Sequence, residues 1–145
     1  PVALKVRRVA HMPLGEGKMG CASCHNPHGS SNVRLLRAGN SVSESCTSCH
    51  AGQRGPFLWE HAPTRERCTT CHDPHGSSND RMLAAKMPML CQRCHVSTRH
   101  SSTIYDLSPI TSRSTSQNRL VNRSCVNCHQ NIHGSNHPSG NYFLR

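Results

Sequence analysis

Apolar residues along the chain occur in short, isolated groups that follow neither a helical nor a strand period for long. The longest groups span residues 33–36 and 87–90, and Arg34 interrupts the first of them. Glycine, proline, serine and asparagine separate nearly all of these groups, which is typical of turns and loops. The pattern predicts a mostly irregular fold with short α-helices, among them stretches near 31–38 and 81–87, and no sizeable β-sheet.

The composition supplies too few large apolar side chains for an ordinary core of 145 residues. Hydrophobic residues make up 34% of the chain and aromatic residues only 3%, whereas burial of apolar surface is the main driving force of folding. We therefore expect another apolar material to fill the interior. No apolar group approaches the about 20 residues that a membrane-spanning helix needs, so no transmembrane segment is predicted.

All ten cysteines fall in one five-residue motif, Cys-x-x-Cys-His, which occurs five times. This motif attaches haem covalently, because its two thiols reach the vinyl groups of one porphyrin while the histidine reaches the iron. The sequence therefore predicts five haem c groups, with helical turns around the motifs. The predicted thioether residues are Cys21, Cys24, Cys46, Cys49, Cys68, Cys71, Cys91, Cys94, Cys125 and Cys128. The predicted proximal iron ligands are His25, His50, His72, His95 and His129.

Disulfides and zinc explain this motif less well than haem does. A disulfide framework does not require a histidine after every second cysteine. Zinc ribbons need Cys-x-x-Cys arms in pairs, and five arms leave one unmatched. Five haems in 145 residues leave no room for separate pockets, so we expect the macrocycles to stack and form the core. Because folding then depends on the cofactor, the chain without haem is expected to be largely unfolded.

The motifs belong to a repeated unit. Residues 21–32 align without gaps onto residues 68–79 and match at nine of twelve positions. A His-x-Pro element precedes each copy, at His11 and His61, and a plainer haem motif follows each one. We predict a single pentahaem domain over 1–145, with two-haem repeats at about 11–60 and 61–100 and a half repeat at about 101–145.

The segment 101–120 differs from the rest of the chain. Nine of its twenty residues are serine or threonine, and it holds no cysteine or histidine. We expect a surface loop that crosses the haem array, with a flexible partner-binding segment as the alternative.

Seven histidines lie outside the motifs, which is enough to give every iron a second protein ligand. An iron with two protein ligands carries electrons, whereas a catalytic haem needs an open position. Repeat order predicts these distal ligands: His11 for the haem of His25, His28 for that of His50, His61 for that of His72 and His75 for that of His95. For the last haem we prefer His100; His133 is the weaker candidate, and His137 is surplus.

The polypeptide carries a net charge of +10, from 17 Lys and Arg against 7 Asp and Glu. Because each haem adds two propionates, we expect much of this excess to neutralise them. The candidate arginines near the motifs are Arg54, Arg65, Arg67 and Arg99. The basic residues are scattered and the chain has few aromatic side chains, so nucleic-acid binding is not predicted.

Four blocks of the sequence, at residues 16–30, 55–61, 68–76 and 125–140, resemble the MtrA/DmsE-type periplasmic multihaem c-type cytochromes. The resemblance covers nearly the whole chain. It implies decahaem conduits of two similar pentahaem halves, which thread an outer-membrane porin and pass electrons to an extracellular cytochrome, mineral or terminal reductase. This chain resembles the carboxy-terminal pentahaem half of such a protein, either natural or trimmed, and a related pentahaem protein donates electrons to nitrite reductase.

The sequence and the resemblance together predict an electron carrier with five bis-histidine haems, and not an enzyme. Implied partners are a quinol-linked donor cytochrome, an outer-membrane porin or cytochrome, or a terminal reductase, with self-association or a further haem module as additional partners. Haem c is attached outside the cytoplasm, so a periplasmic, outer-membrane-associated or extracellular location is expected. The start at Pro1, without a signal sequence, is interpreted as a mature or processed end.

Three alternatives stay open at this point. They are a filament-forming extracellular cytochrome, a soluble donor to a terminal reductase, and a multihaem reductase with one open iron. Such reductases often replace a motif histidine by lysine, and here all five motifs end in histidine.

Overall fold

The computed structural model describes residues 8–95 and 124–144, and within these ranges the backbone forms only short helical pieces. The α-helices are α1 (Met12–Gly15), α2 (Cys21–Cys24), α3 (Val42–Thr47), α4 (Ala62–Glu66) and α5 (Met89–Gln92). Short 3-10 turns lie at Val33–Leu35, Ala51–Gln53, Cys68–Thr70, Asp80–Met82, Cys125–Asn127 and Gly140–Tyr142. These ranges contain isolated β-bridges but no strand. The predicted irregular fold with short helices and no sheet is confirmed for this part of the chain.

No described helix is long and apolar enough to cross a bilayer. The longest of them, α3, has six residues. The loop predicted at 101–120 lies outside the described residues.

A single helical turn builds each haem motif. In all five motifs the backbone N–H of the histidine donates to the carbonyl oxygen of the first cysteine, at 2.9–3.0 Å. This bond spans four residues, so the two cysteines and the histidine lie on one side of the turn. The predicted helical turns at the motifs are therefore present, and they place both thiols and the imidazole where one porphyrin would reach all three.

The helices predicted near 31–38 and 81–87 are instead reduced to single turns, so that prediction was wrong. Arg34 and Leu35 have φ angles of 56° and 57°, and Arg81 and Met82 have 55°. These left-handed conformations cost about 1–2 kcal/mol per residue without glycine, and they end any regular helix. The apolar pattern predicted helices here because it depends only on side chains. It carries no information about the carbonyls of Arg34 and Arg81, whose direction determines the backbone conformation.

The polypeptide has almost no hydrophobic core of its own. Among the described residues only Leu36 and Leu83 are buried hydrophobic side chains, at 7% and 8% exposure. Larger apolar groups stay open, with Leu58 at 71% and Trp59 at 40%. Apolar side chains left this exposed across a small chain are a sign of surface that another molecule covers. The scarcity of core side chains noted in the sequence is thus also a property of the fold.

One antiparallel β-bridge joins the first copy to the second, and a second bridge joins the second copy to the third. Val9 and Ser77 exchange backbone hydrogen bonds at 2.9 and 2.8 Å, and Trp59 and Ser135 do so at the same two distances. Each bridge links a residue two positions before a His-x-Pro element to a residue two positions after the histidine of a His-Gly turn in the following copy. The two serines are buried, and the copies are therefore connected in the same way at both junctions.

Gly134 and Gly29 provide a matched test of packing in this fold. Both have positive φ, at +146° and +121°. A methyl group added at Gly134 would overlap the ring of Phe57, whereas one at Gly29 meets nothing within 4 Å. We expect Gly134→Ala to lower the free energy of unfolding by about 1–3 kcal/mol more than Gly29→Ala, because only Gly134→Ala overpacks a neighbour. Guanidinium unfolding of the haem-loaded variants measures this difference, and equal midpoints would contradict it.

Candidate haem sites

Histidine rings face one another in four pairs, and each pair joins a motif histidine to one from outside the motifs. The ring centroids are separated as follows: His25 and His75 by 6.0 Å, His50 and His11 by 6.1 Å, His72 and His133 by 6.2 Å, and His95 and His61 by 6.0 Å. No group of three or more His, Cys, Asp or Glu side chains that could hold a metal occurs in the described ranges. Each site therefore offers two protein ligands.

The spacing within the pairs matches two axial ligands of one metal. Imidazoles on opposite sides of a metal, with bonds of about 2.0 Å and a ring radius of about 1.1 Å, have centroids about 6.2 Å apart. The separations observed, 6.0–6.2 Å, agree with this value. A porphyrin bound between the rings would supply the other four iron ligands. The residues present therefore fit haem, with two thiols beside one member of each pair.

The observed pairs correct the pairing predicted from repeat order. His75 faces His25, not His95, and His11 faces His50, not His25. The second copy repeats this arrangement, because His133 faces the first motif histidine of that copy and His61 faces the second. The physical reason is the β-bridge between copies, which brings the His-Gly turn of one copy over the first haem motif of the copy before it.

A tight turn presents the histidine that follows each first motif. In residues 26–29 and 73–76, the glycine N–H donates to the carbonyl of the asparagine or aspartate, at 3.2 and 3.0 Å. The side-chain oxygens of Asn26 and Asp73 also accept from the N–H of His28 and His75, at 3.2 and 3.0 Å. Such side-chain turns are typical of Asn and Asp, and proline pre-sets the position after them.

The third copy forms the same turn at residues 131–134, where the N–H of Gly134 donates to Asn131 at 2.9 Å. His133 is thus the counterpart of His75. From the sequence alone it is only the weaker candidate for the distal ligand of the last haem, that of His129, because the two histidines are close in sequence. The extra residue Gln130 obscured the alignment with the first motif. The sequence signal that identifies His133 is the Asn-x-His-Gly-Ser match, independent of its distance from His129.

A backbone carbonyl orients the histidine of the first Cys-x-x-Cys-His motif in each copy. Nδ1 of His25 lies 2.9 Å from the carbonyl oxygen of Arg34, and Nδ1 of His72 lies 2.9 Å from that of Arg81. In the third copy His129 Nδ1 lies 2.5 Å from the carbonyl oxygen of Tyr142. A carbonyl only accepts, so Nδ1 carries the proton and the Nε2 lone pair is left for a metal.

Left-handed residues explain the contacts of His25 and His72. Arg34 and Arg81 have positive φ, and this turns their carbonyls towards the ring nitrogens. The sequence does not predict these left-handed conformations, because neither position is a glycine. It does not predict the hydrogen bonds either, because every residue type has a backbone carbonyl.

Burial favours the neutral form of two paired histidines from outside the motifs. Burial, followed by His95, lowers the pKa of His61, and burial, followed by His72, lowers the pKa of His133. Metal ligation requires neutral imidazole, so both shifts favour binding. The Thr64 hydroxyl lies 2.7 Å from the carbonyl oxygen of His61 and 3.1 Å from that of His133, and it holds the two segments together.

Motifs that follow each other in the chain are adjacent in space. Burial and the neighbouring Cys68 thiol raise the pKa of Cys46 to about 11, and burial and the Cys125 thiol raise the pKa of Cys91 to about 11. These contacts place the second motif beside the third and the fourth beside the fifth. Ser43 adds a link, because its Oγ accepts from the Cys68 N–H at 3.3 Å.

The remaining predicted site residues have different surroundings. His28 is exposed and faces no other ring within the described ranges. Nδ1 of His137 accepts from the N–H of Ser139 at 3.1 Å, so this ring stabilises a turn. Arg65 pairs with Glu60 at 2.9 Å, and Arg54 and Arg67 are exposed. Both His100 and Arg99 lie outside the described residues.

Two comparisons identify proteins that this chain resembles. A profile of the family described as "Doubled CXXCH motif" matches residues 11–55 and 61–100. A relative named "Multiheme cytochrome MtrA", from Shewanella baltica (strain OS185), is 50% identical over 140 residues. The match covers 96% of this chain but only 41% of that relative.

Ring orientation distinguishes one pair from the other three. The planes of His11 and His50 are at 86°, whereas the other pairs are at 18–24°. Because axial ring orientation sets the splitting of the iron d orbitals, crossed planes give a strongly anisotropic low-spin signal in electron paramagnetic resonance. We expect the oxidised protein to show this signal beside rhombic ones.

Variants assign the anisotropic signal to its pair. His11→Ala should remove intensity from the anisotropic signal and create a high-spin signal. His75→Ala is the matched control, because it should also create a high-spin signal while the anisotropic one persists. Loss of the anisotropic signal in both variants, or in neither, would contradict the pairing.

Proposed function

The chain belongs to the doubled CXXCH family of multihaem c-type cytochromes, and from this premise we propose that it carries electrons along five covalently bound haems. The observation that supports this function is the pairing of histidines, which supplies both axial ligands at four sites in the described residues. Bound haem supplies a one-electron iron couple. The polypeptide has the remaining tasks of holding, orienting and shielding.

We assign ligands to the sites from their geometry. The ten motif cysteines form the thioethers, and the five motif histidines are proximal. The distal ligands are His75 for His25, His11 for His50, His133 for His72 and His61 for His95. His100 is retained as the proposed distal ligand of the fifth haem, that of His129. This arrangement belongs to one pentahaem domain over 1–145, built from the repeats at about 11–60, 61–100 and 101–145.

The chain keeps each iron in one ligand environment. Two imidazoles held from separate segments exclude a substrate or water from the metal, which suits electron transfer and not catalysis. The carbonyls of Arg34 and Arg81 hold their histidines in one tautomer and orientation. Besides burial and the Cys68 and Cys125 thiols, the Cys24 thiol raises the pKa of Cys46 and the Cys71 thiol raises that of Cys91. Each motif is therefore adjacent to the next, which supports a continuous array of five haems.

The proposed location follows from haem attachment, and the proposed partners follow from the family resemblance. Haem c attachment takes place outside the cytoplasm, so we propose a periplasmic or outer-membrane-associated protein that exchanges electrons with other redox proteins. Its donor is a quinol-linked cytochrome, and its acceptor is an outer-membrane or extracellular cytochrome or a terminal reductase. Because the chain matches only 41% of the cytochrome MtrA from Shewanella baltica, it provides one section of such a route.

Carbon monoxide tests the proposal directly, because it binds ferrous haem only where one axial position is open or weakly held. We expect the dithionite-reduced protein to carry five haems by intact mass and to show no change in its Soret spectrum under carbon monoxide. His75→Ala should bind one equivalent and serves as the positive control. Stoichiometric binding by the unmodified protein would contradict the carrier function and favour a reductase with an open iron.

A further inference from the structure

The ring of His61 contacts the third copy in two places. The ring of Phe143 lies against it, with centroids 5.5 Å apart and planes tilted at 56°. Burial and His95 lower the pKa of His61, whereas a hydrogen bond to the backbone of Ile132 raises it. The His61 ring therefore also reaches the residue before His133. An imidazole that is held at two points cannot rotate freely about its bond to a metal.

Phe143 occupies a position that recurs in all three copies. The carbonyl oxygens of Leu35, Met82 and Phe143 each accept a hydrogen bond from the N–H of the Asn or Asp that begins the His-Gly turn, at 2.8–3.1 Å. All three residues have positive φ, at 57°, 55° and 52°. The same backbone position thus carries leucine in the first copy, methionine in the second and phenylalanine in the third.

The ring planes differ between the two junctions together with this side chain. His11 and His61 are equivalent, because each precedes a short helix with proline in its first turn. At the first junction, where the recurring position holds methionine, the planes of His11 and His50 are crossed at 86°. At the second junction, where it holds phenylalanine, the planes of His61 and His95 are at 24°. An aromatic ring is thus present where the histidine planes are nearly parallel.

A second difference between the junctions concerns the main chain of the histidine. The Thr64 hydroxyl lies 2.7 Å from the carbonyl oxygen of His61 and 3.1 Å from that of His133. The residue at the equivalent place after His11 is Leu14, which has no hydroxyl to form this link. The main chain of His61 is therefore tied to the third copy, and this keeps its ring within reach of Phe143.

Ring orientation affects the reduction potential of an iron with two imidazole ligands. Nearly parallel imidazoles donate to the same iron d orbital, which stabilises the ferric state, whereas crossed imidazoles divide this donation between two orbitals. We propose that Phe143 is a positioning residue, which holds His61 nearly parallel to His95 and thereby lowers the reduction potential of the fourth haem, that of His95. This inference rests on the proposed electron-carrier function and adds to it a residue from outside the ligand set.

The first experiment replaces Phe143 by the residues of the other copies, in Phe143→Met and Phe143→Leu. Both side chains occur natively at this left-handed position, so the turn accepts them. In electron paramagnetic resonance of the oxidised, haem-loaded protein, each variant should lose the intensity of one haem from the rhombic signals and gain it in the anisotropic signal. Phe143→Tyr keeps the ring and should leave the spectrum unchanged, as should Leu35→Met, which places methionine at the counterpart position of the first copy.

Three results of this experiment would overturn the proposal. The first is an unchanged rhombic intensity in both Phe143→Met and Phe143→Leu. The second is a new high-spin signal in either variant, because Phe143 would then be needed for ligation by His61 and not for its orientation. The third is an equal loss of rhombic intensity in Phe143→Tyr, because that variant retains the aromatic ring.

The second experiment separates ring orientation from shielding by the apolar side chain. In a spectroelectrochemical titration of Phe143→Met, one of the one-electron steps should move to a higher potential, and Leu35→Met should leave every step in place. Loss of shielding alone would move the step to a lower potential, because water stabilises the more highly charged ferric iron. A downward shift, or none, would therefore overturn the role of Phe143. Carbon monoxide binding by the unmodified protein would instead contradict the carrier function.

Discussion

The distance between two imidazoles on opposite sides of one iron is the constraint on which the rest of this structure depends. It requires segments far apart in sequence to approach within about 6 Å. In the His25–His75 and His72–His133 pairs, two backbone devices fix this approach. The Asn/Asp-x-His-Gly turns present one ring, and the left-handed arginines hold the other. Because only two leucines are buried hydrophobic side chains in the described ranges, these local devices and the cofactor take over the role of a core.

The attachment half of each site is predictable from sequence because its chemistry is local. Two cysteines and a histidine within five residues lie on one side of a single helical turn, so their spacing alone identifies the cofactor. The distal half is not local. His75 reaches His25 because Val9 pairs with Ser77, and a backbone bridge of this kind leaves no signature in residue types. Repeat order could show that the copies are equivalent, but not which copy each turn serves.

The short helices that the apolar pattern predicted illustrate the same limit. Val33 and Leu36 resemble a helical face, yet Arg34 adopts positive φ between them so that its carbonyl meets the ring of His25. The conformational cost, about 1–2 kcal/mol, is offset by an oriented ligand. Helix propensities depend on the side chains of a segment. They cannot predict a conformation that is set by a hydrogen bond to a backbone carbonyl, because every residue has that group.

In the proposed ligand sets, a turn histidine of one copy completes a haem of the copy before it, and this also fixes the order in which the haem sites mature. His11 precedes its partner His50, so the second haem of the first copy can gain both ligands as soon as its own motif has emerged. The first haem must wait about 50 residues for His75, and His72 must wait still longer for His133. A chain that emerges from its amino terminus therefore exposes a succession of half-ligated irons, each completed by the arrival of the next copy. Assembly is directional, although the finished array is a repeat.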